Sequence, residues 1–338
     1  MPFISVAGKN VIVRMIGVMT VAGAALVTVG VTSESLIHAQ SPKPAAPPTV
    51  RLPDESAGID GIAQTLIAVF DHVDIVALGE AHERTLDSDL RIAVVRHPNF
   101  AKKVRTIVVE FATTTEQTTL DRYIRGENVS RAQLERVRPR QPGSLTSEDP
   151  MYGDFFAAVR DVNSRLPPDA RIRVFGGEDN RNRVTAAFSI LREQVLEKHG
   201  KALVIYGAAH FYKDDPSSSG AGSGIVRLLD MAYPGRTFAV IPVGHPLRLP
   251  PGVTLRISPD YRKFDRALRT QVRPVLVSLE RPPFRDFAAE EFIGGHVLTC
   301  GGPGGCRSIF QGSTLTLGQM ADALLYVGGV DTEAQPAR

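Results

Sequence analysis

Val73-Asp74-Ile75-Val76-Ala77-Leu78, followed at once by Gly79-Glu80-Ala81-His82, is the stretch whose reading decides the fold. The first six residues are a short aliphatic and β-branched run, the signature of a buried strand. A glycine then lets the backbone turn and keeps bulk away from a ligand, and a histidine three residues on projects its ring into the space created. The same Gly-x-x-His recurs at Gly207–His210, directly after the aliphatic run Ala202–Tyr206. Between the two copies, Thr106–Val109 is capped by Glu110. In open α/β sheets ligands bind beyond the carboxyl ends of the strands, so two imidazoles and two carboxylates are expected to converge at one sheet edge.

Outward from these segments, short aliphatic runs alternate with longer amphipathic stretches, the pattern of βα units around a largely parallel sheet. Strands are predicted at Val73–Leu78, Thr106–Phe111, Ile172–Phe175, Ala202–Tyr206, Thr237–Pro242, Pro274–Leu279 and Leu324–Val327. Helices are predicted at Ile59–Phe70, Ser88–Arg96, Glu116–Arg125, Arg131–Val137, Asp154–Leu166, Arg181–His199 and Ile225–Ala232. The expected fold class is α/β, a central, mostly parallel β-sheet flanked by helices. Ser217–Gly224, a run of serine and glycine with one alanine, is expected as a surface loop or a lid beside a site.

Lys9 and Arg14 precede the uncharged run Met15–Val31 and the polar stretch Thr32–Gln40, the layout of a signal peptide over residues 1–39. The expected destination is the periplasm or the exterior, with the uncleaved segment as a membrane anchor in the alternative. Residues 40–57 are proline-rich and read as a linker, 58–330 as a single domain and 331–338 as a disordered tail. Without residues 1–39 the chain keeps 37 basic against 35 acidic side chains, a near-neutral balance that gives no case for nucleic acid. Cys300 and Cys306 flank Gly-Gly-Pro-Gly-Gly, and in an oxidising compartment a local disulfide is expected; the alternative is two free thiols.

Three segments carry a resemblance: Ala77-Leu78-Gly79-Glu80-Ala81-His82, Val108-Val109-Glu110-Phe111 and Tyr206-Gly207-Ala208-Ala209-His210. They look like the signatures of the superfamily that groups erythromycin esterases, ChaN-like proteins and Tiki-type (TraB, PrgY, GumN) proteases. Arg173-Val174-Phe175-Gly176-Gly177-Glu178-Asp179 and Ala321–Gly328 are similar to two further strands of that family, so the resemblance spans Asp74 to Gly328. A single residue, Ala81, separates Glu80 from His82 where the erythromycin esterases have two, a spacing closer to the ChaN and Tiki branches.

Two histidines with one or two carboxylates suit Zn²⁺, Mn²⁺ or Co²⁺ with an open position for water. On that reading His82, Glu110 and His210 are metal ligands, and Glu80 is a general base or a further ligand. Without metal, a Glu–His pair activates water directly, as the resemblance to the esterase branch implies. The ChaN resemblance implies haem instead, with Tyr212 as a candidate iron ligand. Arg91, Glu178 and Asp179 are candidate substrate-binding residues.

Each residue also has a plainer reading. A lone histidine most often satisfies a buried carbonyl, Asp179 before a helical pattern is equally a capping residue, and Glu110 needs a structural ion-pair partner such as Arg91 or Arg84. There is no Gly-x-Ser-x-Gly elbow, phosphate-binding Gly-x-x-x-x-Gly-Lys or His-Glu-x-x-His. The expectation is therefore an exported hydrolase, metal-dependent, acting on an ester, amide or peptide bond of a small-molecule or peptide substrate. The alternative is a haem- or iron-binding uptake protein without turnover.

Overall fold

The computed structural model describes residues 52, 55–81, 84–138, 151–179, 182–214, 224–243, 259–293, 298–302, 305–308 and 312–328. Along the chain these form β1 (Glu55–Ala57), α1 (Ile59–Val69), β2 (Ile75–Glu80), α2 (Thr85–Arg96), α3 (Phe100–Lys103), β3 (Thr106–Thr113), α4 (Gln117–Ile124), α5 (Arg131–Val137) and α6 (Met151–Ser164). Then come β4 (Arg173–Glu178), α7 (Arg183–Gln194), β5 (Ala202–Gly207), α8 (Ile225–Ala232), β6 (Thr237–Val243), α9 (Pro259–Leu268) and β7 (Val275–Ser278). The last are α10 (Ala289–Ile293), β8 (Leu298–Gly302), β9 (Gly305–Ser308), α11 (Leu317–Met320) and β10 (Ala323–Tyr326).

Eight strands form one sheet in the order β1-β7-β10-β6-β2-β5-β3-β4, and β8 and β9 form a separate hairpin. The pairs from β10 through β4 are parallel, while β7 runs antiparallel to both β10 and β1. The sheet is thus mostly parallel and flanked by helices, as the alternation of patterns predicts. All the predicted strands and helices are present with ends shifted by a few residues. The helix expected over 181–199 stops at Gln194 and continues as a short 3-10 turn. The sheet also takes in β1, inside the stretch expected as linker. Gly58, with φ +73, ends that strand, and its N–H donates to the carbonyls of Val272 and Pro274. A left-handed turn there is accessible to glycine at little cost.

Strand residues alternate between two apolar layers because successive side chains leave opposite faces. Val76 and Leu78 of β2, with Ile107 and Val109 of β3, pack under α1, α2, α4 and α6 through Ile62, Leu66, Leu90, Leu120 and Phe155. Ile75 and Ala77, with Val108, face the layer of α7, α8, α9 and α11, including Leu191, Ile225, Phe264 and Leu317. In α1 the spacing Ile62, Leu66 and Val69 puts the buried positions on one stripe, so the helix lies on the sheet by that face.

Several expectations lie outside the described residues: the N-terminal segment, residues 217–223 of the serine-glycine loop, His82 and the C-terminal tail. Cys300 and Cys306 lie on the paired strands of the small hairpin, and their side chains are also outside the description. Among the described residues no helix is long and apolar enough to cross a membrane.

Candidate active site

Four neighbouring strands, β2, β5, β3 and β4, end at the same edge of the sheet. β2 ends on Glu80, β3 carries Glu110 near its end, β4 ends on Glu178, and β5 leads straight into the 3-10 turn Ala208–Phe211 that holds His210.

Glu110 is the centre of one cluster. Its side chain is 2% exposed, and the costs of burying a carboxylate are offset by specific donors. The backbone N–H of Gly207 donates to Oε2 at 2.7 Å, and Arg183 Nη1 donates to Oε1 at 2.6 Å. The same Oε1 lies 3.4 Å from Nε2 of His210, whose side chain is partly exposed. Arg183, the first residue of α7, reaches further to Glu178, Nε to Oε2 at 3.2 Å. Asn182 fixes that helix start by accepting from the N–H of Thr185 at 3.1 Å.

Among the described residues, two buried polar atoms in this cluster have no hydrogen-bond partner, Glu178 Oε1 and Tyr206 Oη. Burial raises the pKa of Glu178 and outweighs the opposing effect of Arg183, while nearby Glu110 raises it further. Burial likewise pushes the Tyr206 phenol well above its usual range, with Glu110 and Glu178 adding to the effect. The Tyr206 ring meets the His210 imidazole edge to face, with centroids 5.8 Å apart.

Glu80 belongs to a second cluster. Two positions after Leu78, its side chain leaves β2 on the face of α2 and α6, and Glu110, two after Val108, leaves β3 on the face of α7. Glu80 is ion-paired with buried Arg91 through Oε2 and accepts from the hydroxyl of Tyr152 at 2.9 Å through Oε1. The Arg91 guanidinium lies over the rings of Tyr152, Phe111 and Phe155, at 4.6, 5.1 and 5.9 Å from their centroids. Beside this pair Asp87 accepts from the N–H of Ala81 at 2.7 Å and from Arg84 Nη2, tying the loop after β2 to the start of α2. Burial raises the Asp87 pKa, and Arg84 works against it.

Gly79 acts through close approach, and neither it nor Gly207 is in a left-handed turn. A Cβ on Gly79 would lie 2.8 Å from the carbonyl of Val240 and 3.3 Å from Cα of Ala208, and Gly207 has φ −52. Of the residues singled out by sequence, Glu110, His210 and Glu178 share one cluster, and Glu80 and Arg91 share the other. Asp179 follows β4 and is partly exposed. Tyr212 is 2% exposed within the apolar layer that includes Phe211, Ile225 and Val226. The arginine paired with Glu110 is Arg183, whereas Arg91 and Arg84 serve Glu80 and Asp87. Arg183 and Tyr152 escaped the sequence reading, and Tyr206, the first residue of the third motif, was given no role there. The available signals were a tyrosine ending an otherwise aliphatic strand and an arginine opening the helix after Glu178.

A divalent metal on His82, Glu110 and His210 is the expectation drawn from those residue types; His82 lies outside the described residues, and the Glu110 carboxylate is already engaged. Both Glu110 oxygens are taken, one by a guanidinium whose charge would repel a cation at that carboxylate. No group of three or more His, Cys, Asp and Glu side chains among the described residues is arranged to hold a metal.

No protein-family model and no curated protein sequence matches the chain. Solved structures do. A Bacillus cereus protein superimposes with a TM-score of 0.56 at 14% identity, over 81% of this chain and 92% of its own. A mutant of the erythromycin esterase EreC, in its open conformation, gives 0.50 at 10% identity over 82% of this chain and 98% of its own. A succinoglycan biosynthesis protein gives 0.50 at 9% identity, over 78% and 90%. At these identities the likeness is one of fold, and the chain is built on the fold of the erythromycin esterases.

Proposed function

We propose that the chain is an exported hydrolase that cleaves an ester, amide or peptide bond with a water activated by His210. The observation that carries this reading is the Glu110–His210 pair, a buried carboxylate 3.4 Å from a partly exposed imidazole at the carboxyl end of a parallel sheet. A carboxylate held by a backbone N–H and a guanidinium fixes the orientation of the ring it contacts, as in other acid–base pairs. Nε2 then donates to Glu110, and Nδ1, which takes no partner among the described residues, is left to accept a proton from water. The water oxygen adds to the carbonyl carbon while its proton passes to Nδ1. The C=O electron pair moves onto oxygen, returns as the carbon–heteroatom bond breaks, and the leaving group takes the proton from the imidazolium.

The reading is the metal-free form of the hydrolase expectation, because Arg183 occupies the approach to Glu110. A haem site would need Tyr212 to leave the apolar layer that buries it. Export rests on Lys9, Arg14 and the apolar run Met15–Val31. The test is turnover of a panel of p-nitrophenyl esters and short peptides by the full chain with its His210→Ala and Glu110→Gln variants. A loss of about 10²–10⁴-fold in kcat in both variants, with wild-type turnover insensitive to chelator, is expected. No turnover across the panel, or full turnover by His210→Ala, overturns the reading, and chelator-sensitive turnover returns it to a metal.

A further inference from the structure

Arg183 is bound from two sides and still open on a third. Nη1 is 2.6 Å from Glu110 Oε1 and Nε is 3.2 Å from Glu178 Oε2, which together fix the plane of the guanidinium. Nη2 takes no partner among the described residues, and the side chain is 38% exposed although both carboxylates it binds are buried. His210 Nε2 approaches the same Glu110 oxygen, so the imidazole and the guanidinium sit side by side at the sheet edge. The cation is placed by a capped helix start, which leaves it little freedom to reorganise during a reaction.

We propose that Arg183 is a catalytic residue of the hydrolase described above, donating through its outer guanidinium edge to the carbonyl oxygen that gains negative charge when water adds. The proposal rests on that hydrolase reading. The preferred chemistry is cleavage of an uncharged carbonyl compound, because the positive charge is then used for the anion that forms along the reaction and not for the ground state. Glu178 is a positioning residue in this scheme. Its Oε2, 3.2 Å from Nε, fixes the inner edge of the guanidinium.

An Arg183 that only holds Glu110 would also lower kcat, through His210, but would not bind a tetrahedral anion, so the anion-binding readout separates the two roles. Steady-state kinetics are measured for the full chain, Arg183→Gln, Arg183→Lys and His210→Ala, together with binding of phenylphosphonate, a tetrahedral anion, by calorimetry. Arg183→Gln is expected to lower kcat by about 10²-fold with KM nearly unchanged, and Arg183→Lys to recover part of it. Phenylphosphonate should bind the wild type and His210→Ala and not Arg183→Gln, a readout that needs no turnover. Equal phosphonate binding by wild type and Arg183→Gln, no binding by the wild type, or a kcat unchanged in Arg183→Gln overturns the role of Arg183. If His210→Ala is at the same time inactive, the hydrolase reading stands without it. Full turnover by His210→Ala sinks the hydrolase reading itself.

Discussion

The hydroxyl of Tyr206 occupies the space that a side chain at position 177 would fill: a Cβ on Gly177 would lie 1.7 Å from Tyr206 Oη. The contact joins β4 to β5 at the level of the candidate site, and the Tyr206 ring in turn backs the His210 imidazole.

Gly177→Ala is therefore expected to displace the Tyr206 ring and, with it, His210. Overpacking of a buried position of this kind costs about 1–3 kcal/mol. Chemical denaturation should report that loss, and hydrolysis should fall further than the fraction of unfolded protein explains. An alanine variant with wild-type stability and turnover would show that Tyr206 moves without consequence.

Arg91 and Glu80 form a buried ion pair inside an aromatic box. Arg91→Met leaves the Glu80 carboxylate uncompensated, which costs about 3–5 kcal/mol, whereas the double variant Glu80→Gln, Arg91→Met should lose less than Arg91→Met alone. Urea midpoints for the single and double variants form the cycle that checks this. Additive losses would mean that the two side chains act independently.

Asp230 in α8 has its carboxyl pushed by burial from the ordinary 3.8 to about 6, with Lys213 opposing and Asp322 adding to the shift. The folded state holds this proton more tightly than the unfolded chain, so the contribution to stability is full below about pH 4 and is lost as pH rises to about 6. Asp230→Asn should remove that segment of the pH–stability curve and raise stability at pH 7–8 by about 1–2 kcal/mol. Thermal unfolding from pH 4 to pH 8 measures both effects, and a variant whose curve parallels the wild type would assign the slope to other groups.

The alternation of short aliphatic runs with amphipathic stretches was enough to read an α/β fold with a mostly parallel sheet, because burial on both faces leaves strands such as Ile75–Leu78 and Ile107–Val109 with continuous apolar sequence. Gly79, Glu80, Glu110 and His210 could be placed at strand ends for the same reason, since a run of buried aliphatics stops where solvent or a site begins. β1 and α9 were not legible: the first is three residues at a sheet edge, and the second begins at a proline and is mostly polar. What only the tertiary structure decided is which of those residues meet. Side chains change face with every strand residue, so Glu80 faces α2 and α6 while Glu110 faces α7, a parity that depends on where each strand starts and bends. Arg183 pairs with Glu110, 73 positions away, because β3, β4 and β5 lie side by side, and strand order is a long-range property that no local pattern contains.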